Sequence, residues 1–284
     1  MKLVLSRKGF DTGSGGVPSP IMADGLMVSL PIPDKTAPKR YTEISWAPGR
    51  TMGDLIRDLA PARVRPDHFA HLDPDIDVAA LPRPVGWRPL FGQRGASQSH
   101  LANAGIGAGD LFLFFGLFRS VENRGGRLAY TRGQPAAHVL FGWLQVATVH
   151  RADDCGDQMA WAADHPHFHM LPDAGNSVYV ARDELALPGV QAHVPGAGLF
   201  RRHAPGLRLT APSASASGWL LPGWFEPVAS RPPLTYHADP GRWTRQGDRV
   251  RLRCVARGQE FVLDVSAYPE ASAWLAALFQ SHEA

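Results

Sequence analysis

Apolar positions along this chain come in short runs, each closed by glycine or proline. Residues 2–5 read as a buried strand that enters a polar, glycine-rich loop at 8–16, and 27–31 as a second short strand between Asp24-Gly25 and Pro33. At Thr51 the spacing becomes helical: a threonine cap, Asp54 in the first turn, and Leu55, Ile56 and Leu59 on one face. Residues 60–89 are rich in proline and read as an irregular but ordered excursion. A short helix is predicted over 97–104, a turn at 105–109, a strand over 110–118 and a polar hairpin tip over 120–137. The next strand, 138–149, is rich in β-branched and aromatic residues. Residues 178–181 predict a brief strand, 183–185 one helical turn, and 211–218 a small-residue loop. Near the end, 249–255 and 259–265 predict a hairpin around Arg257-Gly258, with Glu260 facing outward. Residues 268–280 predict an amphipathic helix with Trp274, Leu275, Leu278 and Phe279 on one side. These elements imply an α+β, β-rich fold with a few short helices and no internal repeat.

Composition agrees with that picture. In 284 residues there are 29 glycines and 25 prolines, which favours short elements joined by turns over long helical bundles. The net charge of +3 permits an anionic partner without requiring one. Lysine occurs only at 2, 8, 35 and 39, so arginine, whose planar fork suits phosphate and base stacking, supplies most of the positive charge. Cys155 and Cys254 have no paired spacing, which excludes a cysteine-rich zinc ribbon or a disulfide framework. The opening apolar run is too short for a signal peptide, and the cluster 111–118 falls far short of the ~20 residues a membrane span needs. A cytoplasmic protein with no membrane partner is the expectation.

The most site-like stretch is Ser6-Arg7-Lys8-Gly9-Phe10-Asp11, continuing through Gly15-Gly16. Lys8 and the loop amides suit a phosphate, and Asp11 suits a base or an orienting carboxylate. The spacing is not that of a P-loop. His71 and Asp73 project to one side of an extended segment and read as a base–orienter pair or as part of a metal site, with a surface loop as the plainer alternative. In Asp164-His165-Pro166-His167-Phe168-His169, alternation would place the three histidines on one face. No further ligand motif completes a set, so no structural metal is expected there, and His167 is read as a pocket residue. Trp219, Trp224, Phe225, Tyr236, His237 and Trp243 suit either an aromatic wall for a base or ordinary core packing.

Two resemblances add to this. Residues 92–155, with Gln98-Ser99-His100, Gly109-Asp110-Leu111 and Phe141-Gly142-Trp143-Leu144-Gln145-Val146, resemble EVE and related PUA-like β-barrels. That likeness implies a PUA-like barrel element and a base pocket at Gln98, Ser99 and His100. Over nearly the whole chain, Ser6–Asp11, Pro18-Ser19-Pro20-Ile21, His71-Leu72-Asp73, Phe91-Gly92-Gln93, His165-Pro166-His167 and Glu260-Phe261 are similar to the bacterial and phage third nucleotide-modification-associated domain family. The resemblance implies one domain over 1–284 and a nucleotide or nucleic acid as partner, alongside other proteins of a modification system. It names no cofactor and no mechanism. The leading expectation is a nucleotide- or base-modifying transferase or hydrolase with Lys8, Asp11, His71 and Asp73 catalytic. Arg7, Gln98, Ser99, His100 and His167 are expected to bind substrate. The rivals are a non-catalytic reader of modified bases and a structural partner in a modification complex.

Overall fold

The computed structural model describes residues 1–190, 193–255 and 260–280. Six strands form the spine of its main sheet: β1 (Lys2–Arg7), β2 (Leu90–Gln93), β3 (Leu111–Arg124), β4 (Ala137–Arg151), β5 (Ser177–Ala181) and β6 (Glu260–Asp264). In space they run β6-β1-β3-β4-β5-β2. β1 pairs in parallel with β3, Leu3 opposite Leu111 through Arg7 opposite Phe115. On its other side β1 pairs antiparallel with β6, Lys2 opposite Asp264 through Ser6 opposite Glu260. A strand held on both edges and covered on both faces must be apolar throughout, as Leu3, Val4 and Leu5 are; each is fully buried.

The long β3 and β4 form the hairpin that the sequence predicts, but it is longer: β3 runs to Arg124 and turns at Gly125-Gly126 into a strand at Arg127–Tyr130. The pairing shifts register between Leu140 and Gly142, a bulge that adds twist to an already coiling sheet. Among the described residues no backbone pairing joins β6 to β2, so the sheet is open and no closed PUA-like barrel is present. It nevertheless curls far enough for its two edges to touch through side chains. Gln93 Nε2, at the end of β2, donates to Glu260 Oε1, at the start of β6, at 2.6 Å.

Helix α1 (Met52–Leu59) starts as the sequence predicts, with the Thr51 amide donating to Asp54 Oδ2 at 2.9 Å. Its apolar face, Met52, Leu55, Ile56 and Leu59, is buried; Leu55 and Ile56 share a second, smaller core with Phe10, Leu30 and Tyr41. Helix α2 (Gly95–Asn103) follows β2 directly. Helix α3 (Glu270–Gln280) buries Leu275, Leu278 and Phe279 in the main core, where Phe279 packs edge-on to Trp143 and tilted against Phe200. Each such side chain contributes roughly 1.5–3 kcal/mol of burial. No helix among the described residues is long and apolar enough to cross a membrane.

Four expectations fail for identifiable reasons. Residues 27–31 form no strand: Met27 bridges only Ile21, and the regular pairing falls at Ser19–Ile21 and Ile32–Pro33. Residues 183–185 are not helical, because Glu184 bridges Pro195. The two strands near the end do not form a hairpin with each other. Arg249–Arg253 pairs with Gly218–Pro222 and Trp243–Gln246 in a separate three-stranded sheet, whereas β6 goes to β1; the turn at 256–259 lies outside the described residues. Glu260 does not face outward, since at 1% exposure it lies under the curled edge of the main sheet.

Candidate functional site

The end of β1, the excursion at 60–89, the junction of β2 with α2 and the turn at Pro166–Phe168 meet around a cleft of about 270 Å³. That is close to the ~300 Å³ at which small-ligand sites begin. Arg7, Lys8, Asp11, His71, Asp73 and His167 all line it, so six of the nine candidate residues converge. Gln98, Ser99 and His100 do not line it. Gln98 is buried and accepts from the Tyr179 hydroxyl at 2.9 Å, Ser99 Oγ donates back to the Gly95 carbonyl, and His100 lies against Thr235 and the ring of Tyr236. A single site holding both groups is therefore corrected.

Lys8 leaves β1 with its ammonium 4.3 Å from the centre of the Phe91 ring and 3.2 Å from Glu260 Oε1. Gln93 shares that same carboxylate oxygen. Asp11 Oδ1 accepts from the amides of Gly13 and Ser14 at 2.8 and 2.7 Å and so closes its own turn. The turn folds over Phe10, and Gly15, at φ +81°, leaves no room for a Cβ against that ring.

His71 and Asp73 do share a side, with His71 Nε2 3.9 Å from Asp73 Oδ2, which is too far for a hydrogen bond. The carboxylate that orients His71 is instead Asp34, 2.9 Å from Nδ1. A carboxylate can only accept here, so Nδ1 carries the hydrogen and Nε2 faces the cleft. The bond from His71, working against partial burial, holds the Asp34 carboxyl well below the usual carboxylate range. Asp34 reaches this position because Ile32–Pro33 pairs with Ala70–His71.

Asp73 is sealed beneath the cleft. Its Oδ1 accepts from the Gly92 amide at 2.7 Å and from His165 Nε2 at 3.2 Å, leaving Oδ2 toward His71. Burial pushes this carboxyl up, but the His165 hydrogen bond and the charges of His167, His165 and Lys8 outweigh it and hold the group low.

The histidine run is not extended. Pro166–Phe168 is a tight helical turn, so the three rings do not share a face. His165 points under Asp73, His169 is exposed and bonded to the Ala163 carbonyl, and only His167 reaches the cleft. Asn176 fixes His167: its Nδ2 donates to the His167 carbonyl at 2.8 Å, so its Oδ1 must accept from Nδ1 at 2.5 Å. That again leaves Nε2 bare. Burial, with the His165 and His71 charges, pushes His167 down to about 4. Its ring lies on Gly92, where any Cβ would sit 2.2 Å from Cδ2.

Residues that reading along the chain missed are Asp34, Gln93, Arg94, His165, Asn176 and Glu260. Asp34 and Asn176 come from segments with no motif of their own, whereas Gln93, His165 and Glu260 lie in quoted motifs without being read as site residues. The polar–apolar alternation around Glu260 pointed the wrong way, because the sheet's curl covers both of its faces.

The cleft is floored by buried carboxylates and imidazoles, with Arg94 at its rim, on an open, curled sheet. The family model described as nucleotide modification associated domain 3 matches residues 2–264, and the chain belongs to that family. Comparison with curated proteins and with solved structures gives no match.

Proposed function

We propose that this protein is an enzyme that modifies a nucleotide or nucleobase, and that the cleft around His71, Asp73 and His167 is its active site. The observation that carries this reading is the convergence of Lys8, Asp34, His71, Asp73 and His167, from distant parts of the chain, on one cavity. Buried groups with displaced protonation equilibria gathered in a cleft are the usual signature of chemistry rather than of recognition alone. Among the described residues no Phe, Tyr or Trp lines that cavity, so it lacks the aromatic cage a base reader needs. Arg94, exposed at the rim, suits the phosphate of a nucleotide, free or within a nucleic acid. Family membership supplies the substrate class, and its match across nearly the whole chain supports treating the chain as one unit.

A second reading, a non-catalytic reader in the manner of PUA-like domains, has one observation in its favour. His100 on α2 lies 4.8 Å from the ring of Tyr236, which is 52% exposed and could stack on a base. The two readings separate in one experiment. The protein and its His71→Gln variant are incubated with free nucleotides and with modified and unmodified DNA, and product mass is followed alongside affinity. Turnover that falls ~10²–10⁴-fold in the variant while binding persists supports the enzyme. Binding without turnover by the unaltered protein, weakened by Tyr236→Ala, supports the reader.

A further inference from the structure

We propose that His71, Asp73 and His167 bind a divalent transition-metal ion. Their ligand atoms lie within 4.8 Å of one another, drawn from two segments that are 94 positions apart in the chain. Reading along the chain admits His71 and Asp73 as part of a metal site but commits to no metal, because the run His165-Pro166-His167 lacks further ligands at recognisable spacing.

The hydrogen-bond directions make the case. Asp34 takes the Nδ1 hydrogen of His71, and Asn176 takes the Nδ1 hydrogen of His167, so in each ring Nε2 is the nitrogen left to face inward. The Gly92 amide and His165 both occupy Oδ1 of Asp73, so Oδ2 also faces inward as a lone pair. Three acceptors thus point at one another with no hydrogen assigned between them, an arrangement that repels unless a cation stands in the middle. The 3.9 Å between His71 Nε2 and Asp73 Oδ2 is within the about 4.2 Å that two metal–ligand bonds of ~2.1 Å can span, and a set spread over 4.8 Å closes to that limit by side-chain shifts of a few tenths of an ångström.

Charge points the same way. Asp34 and Asp73 bring two carboxylates to the cluster, while the nearby ammonium of Lys8 is paired with Glu260 and Arg94 stands at the rim. The outer partners also match what metal-binding histidines use: a carboxylate on one ring and an amide oxygen on the other, which fix tautomer and orientation. Two imidazoles and one carboxylate favour zinc or ferrous iron over magnesium, and three protein ligands leave positions open toward the cleft.

This inference uses the same cleft as the proposed enzyme, but its test needs no substrate, so either idea can fail alone. Chelator-treated protein is titrated with Co²⁺, followed by visible d–d absorption and by calorimetry, with Mg²⁺ as a control ion. The expected result is one Co²⁺ per chain with absorption bands, and no comparable binding of Mg²⁺. His71→Gln and His167→Gln, each checked by circular dichroism, should lose the bands. Asp34→Asn should keep them with ~10–100-fold weaker binding. Should either ligand variant misfold, Asp34→Asn and the unaltered protein still decide the matter. Absence of stoichiometric Co²⁺ binding by the unaltered protein would overturn the proposal. Equal binding by a folded His71→Gln/His167→Gln double variant would do the same, placing the ion elsewhere.

Discussion

The ammonium of Lys8, just past the end of β1, and the carboxylate of Glu260, at the start of the neighbouring strand β6, stand 3.2 Å apart and are 9% and 1% exposed. Glu260 also holds Gln93 from the opposite edge of the sheet, so one buried carboxylate ties the sheet's two ends to the floor of the cleft.

Breaking such a pair from one side leaves a buried charge without its partner, which costs about 3–5 kcal/mol. Glu260→Gln and Lys8→Met are each expected to lose that much stability in urea titrations. The double variant Lys8→Met/Glu260→Gln is expected to regain most of it, because no bare charge remains. Single losses that simply add in the double variant would show that the two groups are not coupled.

Gly92 carries the His167 ring directly on its backbone, and its amide holds Asp73. Gly92→Ala places a methyl group where the imidazole lies, so the ring must move away from the cleft. The expected cost is ~1–3 kcal/mol, the ordinary range for overpacking. Unfolding midpoints measure it, and the His167 proton resonances in a histidine-labelled sample should shift while those of the distant His138 stay in place. An unchanged His167 spectrum would contradict the packing described.

His138 gives a pH prediction independent of the cleft. Burial, and to a lesser degree the Arg7 charge, push it down to about 3, and its Nδ1 accepts from Trp219 Nε1 at 2.9 Å. The unfolded chain takes up this proton near pH 6.5 and the native protein only near 3. The stability held by neutral His138 is therefore full above 6.5 and is lost as pH falls toward 3, at up to ~1.4 kcal/mol per pH unit. Urea midpoints between pH 7 and 4 should fall steeply for the native sequence and less steeply for His138→Gln, which cannot titrate. Equal slopes would rule His138 out as the titrating group.

Local signals were enough for much of the architecture. The apolar run at Leu3–Leu5, the capping pair Thr51–Asp54, the hairpin of β3 and β4 and the apolar side of α3 all follow from spacing and backbone preference, which act over a few residues. The same locality made Lys8, His71, Asp73 and His167 visible as chemically loaded residues, since each stands beside a turn or a strand end. Glycine-rich spacing also marked the loop at 8–16, though it could not tell that Asp11 would be used by the turn itself.

What the sequence could not decide is everything set by long-range pairing. Which strand β6 joins depends on the burial offered by β1, not on the turn before it, so the predicted hairpin dissolved and Glu260 went inward. Asp34 became the partner of His71 only because two short strands 37 positions apart pair in register. Asn176 and Gly92 orient His167 through contacts made when β5 and β2 lie side by side. A hydrogen bond's direction, and therefore which lone pairs face one another in the cleft, exists only once those partners are in place. The chain thus carries the reactive groups in its local pattern, while the curl of the sheet brings them together and settles what they face.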